Sequence, residues 1–293
     1  MKMATQLDLS YWQAIITGLL QGITELFPIS SLGHSILVPA WIGGSWNSFL
    51  INSTAGESPY LLMIIALHVA SALTLLLIFW KRWIQLIQAF FRSLKSRSLE
   101  SPESKVIWLI LLATLPVGLL GILFEHQLKD LFSKPLAASV FLAINGIILF
   151  VAEKSSQKKT VTDSDETLTH QISFKNAFTI GVAQSAALFP GISRFGITMG
   201  AGLNRGLSHT AATDFAFLLA TPVILAAGLL KIPDLFNPEI KHIIGPVIVG
   251  SIVAAFGTFI SVKILVKWFK HHTLYPFAIY CLVVGLISVV KFL

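Results

Sequence analysis

Six stretches of this chain, about 60–80, 106–124, 135–152, 210–230, 242–262 and 274–292, are almost free of charge. Each is close to the ~20 apolar residues that cross the hydrocarbon core of a bilayer. Such a chain has few ways to fold. With 55% hydrophobic and 12% charged residues, against about a quarter charged in soluble domains, an ordinary soluble domain is excluded. The expected class is an all-α polytopic membrane protein forming a single integral domain over residues 1–293. The net charge of +7 does not argue for nucleic acid, because the basic residues gather just beyond span ends. Lys81, Arg82, Arg92, Lys95, Arg97 and Lys105 share one connection, Lys154, Lys158, Lys159 and Lys175 a second, and Lys263, Lys267 and Lys270 a third. The positive-inside rule makes these three cytoplasmic. Lys2 and the apolar run after it imitate a signal peptide, but Gln21 and Glu25 interrupt that run and no small-residue cleavage site follows. Cys281 is the only cysteine, so no internal disulfide forms, and it reads as a packing residue.

Two further apolar segments, about 11–45 and 174–205, are broken in the middle by Pro28 and by Pro190-Gly191. They resemble copies of each other: Gly18 to Gln21, then Leu26-Phe27-Pro28 and Ser30-Ser31, against Gly181 to Gln184, then Leu188-Phe189-Pro190 and Ser193-Arg194. Broken backbone at membrane depth is tolerated only inside protein or beside a water-filled cavity, so both segments are expected to be re-entrant helical hairpins. The chain order is then hairpin, three spans, polar linker over 153–173, hairpin, three spans. An odd number of crossings inverts the second copy, giving an inverted repeat with halves of about 10–152 and 174–292 and a shared site near the midplane. The first hairpin opens from outside and the second from the cytoplasm, with both termini outside. Residues Lys81 to Arg97, with Trp83, Leu86, Ile87 and Phe90 on a helical period, are expected to form an amphipathic interfacial helix.

Charged and titratable groups in such sequence point to function by default. Gln21 and Glu25 lie one turn apart on one helix face. Pro28 ends that helix, Ser30 or Ser31 caps the next, and His34 projects on the same side as Ser31. In the second copy Ser193 is the expected cap, and Arg194 and Thr198 are one turn apart. Two helix N-termini and a guanidinium facing one cavity attract a phosphate or carboxylate. Glu25 beside an anion then implies a divalent cation, Mg²⁺ or Ca²⁺, or acid/base work. Ser31 or His34 supplies the nucleophile or the proton-transfer group. His68 and Asn145 read as interhelical hydrogen-bond partners, and Asp214 as a helix-start carboxylate. The other histidines have no metal-ligand spacing.

Gln21-Gly-Ile-Thr-Glu25, Pro28-Ile-Ser-Ser-Leu-Gly-His34 and Pro190-Gly-Ile-Ser-Arg194-Phe-Gly-Ile-Thr198 resemble the signature segments of the bacterial undecaprenyl-diphosphatase family, also called bacitracin-resistance proteins. The likeness runs from about Tyr11 to the C-terminus and includes Phe215 to Pro222 and Tyr275 to Tyr280. It implies an inner-membrane phosphatase of six spans and two re-entrant hairpins that removes the terminal phosphate of undecaprenyl diphosphate, using a divalent cation at a site open to the periplasm. Carried over, Glu25, Ser31, His34 and Arg194 are the expected catalytic residues, with Glu25 also on the metal. Gln21, Ser30, Ser193 and Thr198 are the expected substrate contacts. Undecaprenyl diphosphate and membrane lipid are the expected partners, and a homodimer is one option for an oligomeric state that stays open. Where the family usually has serine after the arginine this chain has Phe195, which suggests reduced turnover or altered substrate preference. The rival reading is a transporter or flippase for polyprenyl phosphate or another amphipathic anion.

Overall fold

The computed structural model describes residues 9–46, 59–99, 101–157, 172–236 and 238–293, and the regular structure among them is entirely helical. Helix α1 (Tyr11–Thr24) opens on a capping box in which Ser10 and Gln13 satisfy each other's backbone amides. It is joined by a tight turn to α2 (Ser31–Ile42). Then come α3 (Pro59–Ile78), α4 (Trp80–Ser96), α5 (Pro102–Leu123), the short α6 (Glu125–Lys129) and α7 (Pro135–Ser156). The second half holds α8 (Phe174–Gln184), α9 (Arg194–Asn204), α10 (His209–Lys231), α11 (Ile244–Trp268) and α12 (Tyr275–Phe292). Helices α3, α5, α7, α10, α11 and α12 are long and apolar enough to cross a membrane, which makes this a multi-pass membrane protein. The polar linker expected over 153–173 lies mostly outside the described residues. At its near end α7 continues to Ser156, past the expected 152, and at its far end Ser173 caps α8 through Asn176 N.

The outer faces are greasy. Leu77, Leu119, Ile122, Leu229, Phe256 and Val290 are all exposed, an arrangement water would penalise and lipid does not. Between helices, small residues replace large ones so that backbones can touch. Gly18 and Gly22 of α1 lie on Gly250, Ala254 and Gly257 of α11, and a Cβ at Gly22 would stand 2.4 Å from Ala254 O. The same contact recurs between α8 and α5, where a Cβ at Gly181 would stand 2.4 Å from Ala113 O. In a bilayer, where lipid is as apolar as leucine, such close packing carries much of the association between helices. Helix α7 packs on α12 and also receives both α2 and α9, so it stands beside both helix breaks.

Helix α4 is amphipathic, but its buried stripe is Trp83, Leu86, Ala89 and Ser93. Ile87, expected on that stripe, is exposed with Ile84, Phe91 and Leu94. The rotation is set by α5: Ser104 Oγ donates to Ala89 O at 3.3 Å and Trp108 Nε1 to Ser93 Oγ at 3.0 Å.

Candidate active site

The first break is built around Ser30. Helix α1 ends at Thr24, Glu25 N still donates to Gln21 O, and the chain then turns through Pro28. Ser30 adopts φ +72°, a conformation that costs a non-glycine residue free energy and persists only where its surroundings impose it. Those surroundings are explicit. Ser30 Oγ accepts from Gly33 N at 3.2 Å, capping α2, and from Gly191 N at 3.1 Å, binding the second break to the first. The second break turns at Gly191, with φ +114° and no room for a Cβ, which would lie 2.5 Å from Ala138 O. Ser193 then caps α9 by accepting from Gly196 N at 3.1 Å.

Asn145, halfway along α7, clamps the two turns together. Its Nδ2 donates to Pro28 O at 3.0 Å and its Oδ1 accepts from Ser193 N at 3.0 Å. Asn145 is thus an interhelical partner, as the sequence reading has it, with Nδ2 also 3.3 Å from Cys281 Sγ on α12, and its two turn partners are backbone groups that the breaks release from helical bonding. Asn145→Leu is expected to leave those two groups buried and unpaired, at about 1–3 kcal/mol each. The expected result is a lower melting temperature in detergent.

Because the turns meet, the side chains beside them converge on one small pocket, lined by Glu25, Ser30, Ser31, Leu32, His68, Ala187, Ile192, Ser193 and Arg194. Glu25 is the hub. Its Oε2 accepts from the Ser31 hydroxyl and from Gln21 Nε2 at 3.1 Å, and lies 3.1 Å from His68 Nε2. Arg194 Nη1 stands 3.7 Å from Glu25 Oε1, while its Nε and Nη1 are buried without a hydrogen-bond partner.

Glu25, Ser30, Ser31, Ser193 and Arg194 therefore share one pocket, as the sequence spacing predicts. Gln21 and Thr198 do not line it. Gln21 sits behind Glu25 as its hydrogen-bond donor, and Thr198 lies one turn along α9 with its hydroxyl buried and unpartnered. His34 is also off the pocket lining. Its Nδ1 bonds Ser30 O at 2.8 Å, and its Nε2 faces the Tyr280 hydroxyl at 2.8 Å, with the two rings stacked. Three residues along a helix leave His34 only about 60° from Ser31, and it is the Tyr280 hydroxyl on α12 that holds its Nε2 away from the pocket. The residue the sequence reading underrated is His68, which lines the pocket from α3 with Nε2 3.3 Å from Ser31 Oγ. The available signal was a titratable group in the middle of a span.

Phe195 is also relocated. Its ring is buried and stacks on Phe217 at 5.0 Å and near Phe269 at 6.2 Å, on the core side of α9. A hydroxyl at this position would face those rings, and Phe195 does not line the pocket, so the geometry gives no support to the expected reduction in turnover or altered substrate preference. Phe195→Ser is expected to open a cavity and destabilise the protein by about 3–5 kcal/mol, read as a fall in melting temperature, with no gain in turnover.

Comparison with known proteins decides the relationship. A family model described as "Bacitracin resistance protein BacA" matches residues 14–287. The chain belongs to this family. Among relatives of the BacA family, "Undecaprenyl-diphosphatase" of Mycolicibacterium paratuberculosis is 43% identical over 297 residues, covering 96% of this chain and 97% of the relative. "Undecaprenyl-diphosphatase 2" of Frankia alni is 41% identical over 338 residues, covering 97% and 98%. "Undecaprenyl-diphosphatase 1" of Burkholderia pseudomallei is 37% identical over 280 residues, covering 95% of each.

Proposed function

We propose that this BacA-family protein hydrolyses the terminal phosphate of undecaprenyl diphosphate, a phosphoric anhydride hydrolase that returns undecaprenyl phosphate to cell-wall synthesis. The observation that carries this reading is Arg194, a guanidinium with two nitrogens buried and unbonded, facing a pocket that also holds the Ser31 hydroxyl. The guanidinium is half-buried with a long contact to Glu25 at 3.7 Å, so it has N–H groups to offer a ligand, and a phosphate matches its fork. The relatives' names support the same substrate.

In this mechanism Ser31 Oγ attacks the terminal phosphorus and the bond to the bridging oxygen breaks, releasing undecaprenyl phosphate. Water then frees inorganic phosphate from Ser31. Arg194 and the first amides of α2 and α9, which helix geometry leaves without intrahelical partners, stabilise charge on the transferring phosphoryl group. Gln21 orients Glu25, and Ser30 and Ser193 hold the turns. His34 fixes the start of α2 through Ser30 O rather than attacking phosphorus. Thr198 is the remaining candidate phosphate donor, one turn behind Arg194.

The two broken segments are read as re-entrant hairpins of an inverted repeat, with halves of about 10–152 and 174–292. The recurrence of glycine packing at Gly18 and Gly181 supports this, since these residues hold the same place in the two motif copies. With the basic connections in the cytoplasm, the pocket opens towards the periplasm of a bacterial inner membrane and the prenyl chain remains in lipid. A divalent cation fits this pocket poorly as a protein-held group. Glu25 is its only carboxylate and is already engaged by Ser31, Gln21, His68 and Arg194. No cluster of three metal-ligating side chains occurs among the described residues. A cation is better carried on the diphosphate oxygens, and no step here depends on it.

The test is phosphate release from undecaprenyl diphosphate by protein purified in detergent with Mg²⁺ present. A micelle has no two sides, so release requires hydrolysis. A silent protein that moves polyprenyl phosphate across vesicles would be a flippase instead.

A further inference from the structure

His68 is bonded in a way that sets its tautomer. Its Nδ1 lies 2.8 Å from Ile64 O. A carbonyl oxygen only accepts, so in the neutral ring Nδ1 carries the proton and Nε2 presents a lone pair. In that tautomer the lone pair faces Ser31 Oγ at 3.3 Å, while Glu25 Oε2, 3.1 Å from the same nitrogen, is also an acceptor and takes a hydrogen bond from Nε2 only once the ring is protonated. His34 has the matching Nδ1 bond, to Ser30 O, but its Nε2 is taken by the Tyr280 hydroxyl at 2.8 Å. Of these two histidines, only His68 offers an acceptor to the nucleophile. Hydroxyl, imidazole nitrogen and carboxylate are thereby brought together in the manner of an activated serine, although here the carboxylate meets Nε2 rather than Nδ1.

We infer that His68 is the general base for Ser31, an inference that rests on the phosphatase reading of this pocket. As Ser31 Oγ bonds to the terminal phosphorus, its proton passes to His68 Nε2, and the electron pair of the broken P–O bond leaves on undecaprenyl phosphate. The imidazolium then lies against the Glu25 carboxylate, which stabilises it. In the second half, water bonds to the phosphorus of phosphoserine and the Oγ–P bond breaks. His68 returns its proton to Ser31 Oγ, and the protons of the water depart on inorganic phosphate. One water is consumed and both side chains are restored.

The competing acceptor is Glu25, which already takes the Ser31 hydrogen bond in the resting pocket. His68→Gln separates the two, since glutamine fills the space but cannot take up a proton. Wild type, His68→Gln and His68→Ala are purified in detergent, checked for a single folded peak, and assayed for kcat and KM on undecaprenyl diphosphate. Added imidazole is tested on the alanine variant. Loss of about 10²–10⁴-fold in kcat with KM nearly unchanged is expected for the glutamine variant. Partial recovery of the alanine variant by imidazole is also expected. A kcat for His68→Gln within tenfold of wild type overturns the inference in favour of Glu25, and so does a larger loss that imidazole leaves unrepaired. Failure of both variants to fold also overturns it, marking His68 as packing. A wild type that releases no phosphate defeats the phosphatase reading itself, a different outcome from any of these.

Discussion

Arg194→Ala is expected to lower kcat for phosphate release by about 10³–10⁵-fold, the range over which a charge-stabilising arginine acts in phosphoryl transfer, while leaving the protein folded. The size of the effect follows from what the guanidinium lacks. Its Nε and Nη1 are buried without hydrogen-bond partners, and its one ion-pair contact, to Glu25 Oε1, is long at 3.7 Å, while Glu25 keeps Ser31, Gln21 and His68 when the arginine is removed. On the proposed mechanism its main interaction arises when phosphoryl oxygens fill the pocket and gain charge. Arg194→Lys keeps the charge but loses the planar fork, and is expected to recover only a minor part of the rate. The measurement is steady-state phosphate release in detergent, paired with a melting curve. Turnover near wild type in the alanine variant would remove Arg194 from the chemistry.

Ser31→Ala should be the most damaging single change, because it deletes the atom proposed to attack phosphorus. Loss of a serine nucleophile from an enzyme built around it costs on the order of 10⁶-fold, so turnover is expected to fall below detection. Structure separates this residue from its neighbour. Ser30 is the cap, accepting from Gly33 N and Gly191 N, whereas Ser31 makes neither bond, so alanine at 31 leaves the α2 start intact. Ser30→Ala is expected instead to lower the melting temperature by releasing both amides. Acid quenching during turnover, followed by analysis of phosphorylated serine, should find phosphate on residue 31 in wild type and none in the variant. Phosphate on another residue, or turnover by Ser31→Ala within tenfold of wild type, would contradict the assignment.

Residue type and spacing singled out Arg194 and left Ser31 and His34 as alternative nucleophiles, and the reason is local. A Pro-Gly pair followed by serine favours a break and a new helix start in the local chain, which is why Ser193 and Arg194 were expected at a helix start. The first copy shows the limit of the same logic. Either Ser30 or Ser31 could cap α2, and the choice was made by Gly191, a residue 161 positions away that donates to Ser30 Oγ. Which groups His68, Asn145 and Phe195 face was not legible for a related reason. Each stands on a helix whose rotation depends on its neighbours, and nothing in the surrounding apolar residues tells which side faces the turns.

The sequence by itself determined that this is a helical membrane protein with six spans, with polar breaks at two matching places and a carboxylate, a serine and an arginine in those breaks. Length, apolarity and helix-breaking residues are properties of the local chain, and they act before any contact is made. Only the tertiary structure decided that His68 stands 3.3 Å from Ser31 while His34 turns to Tyr280, and that Asn145 ties Pro28 to Ser193. Helix rotation and approach in lipid are set by close packing such as Gly22 against Ala254 and by the need of every broken backbone group for a partner. Those requirements are met by residues far apart in the chain.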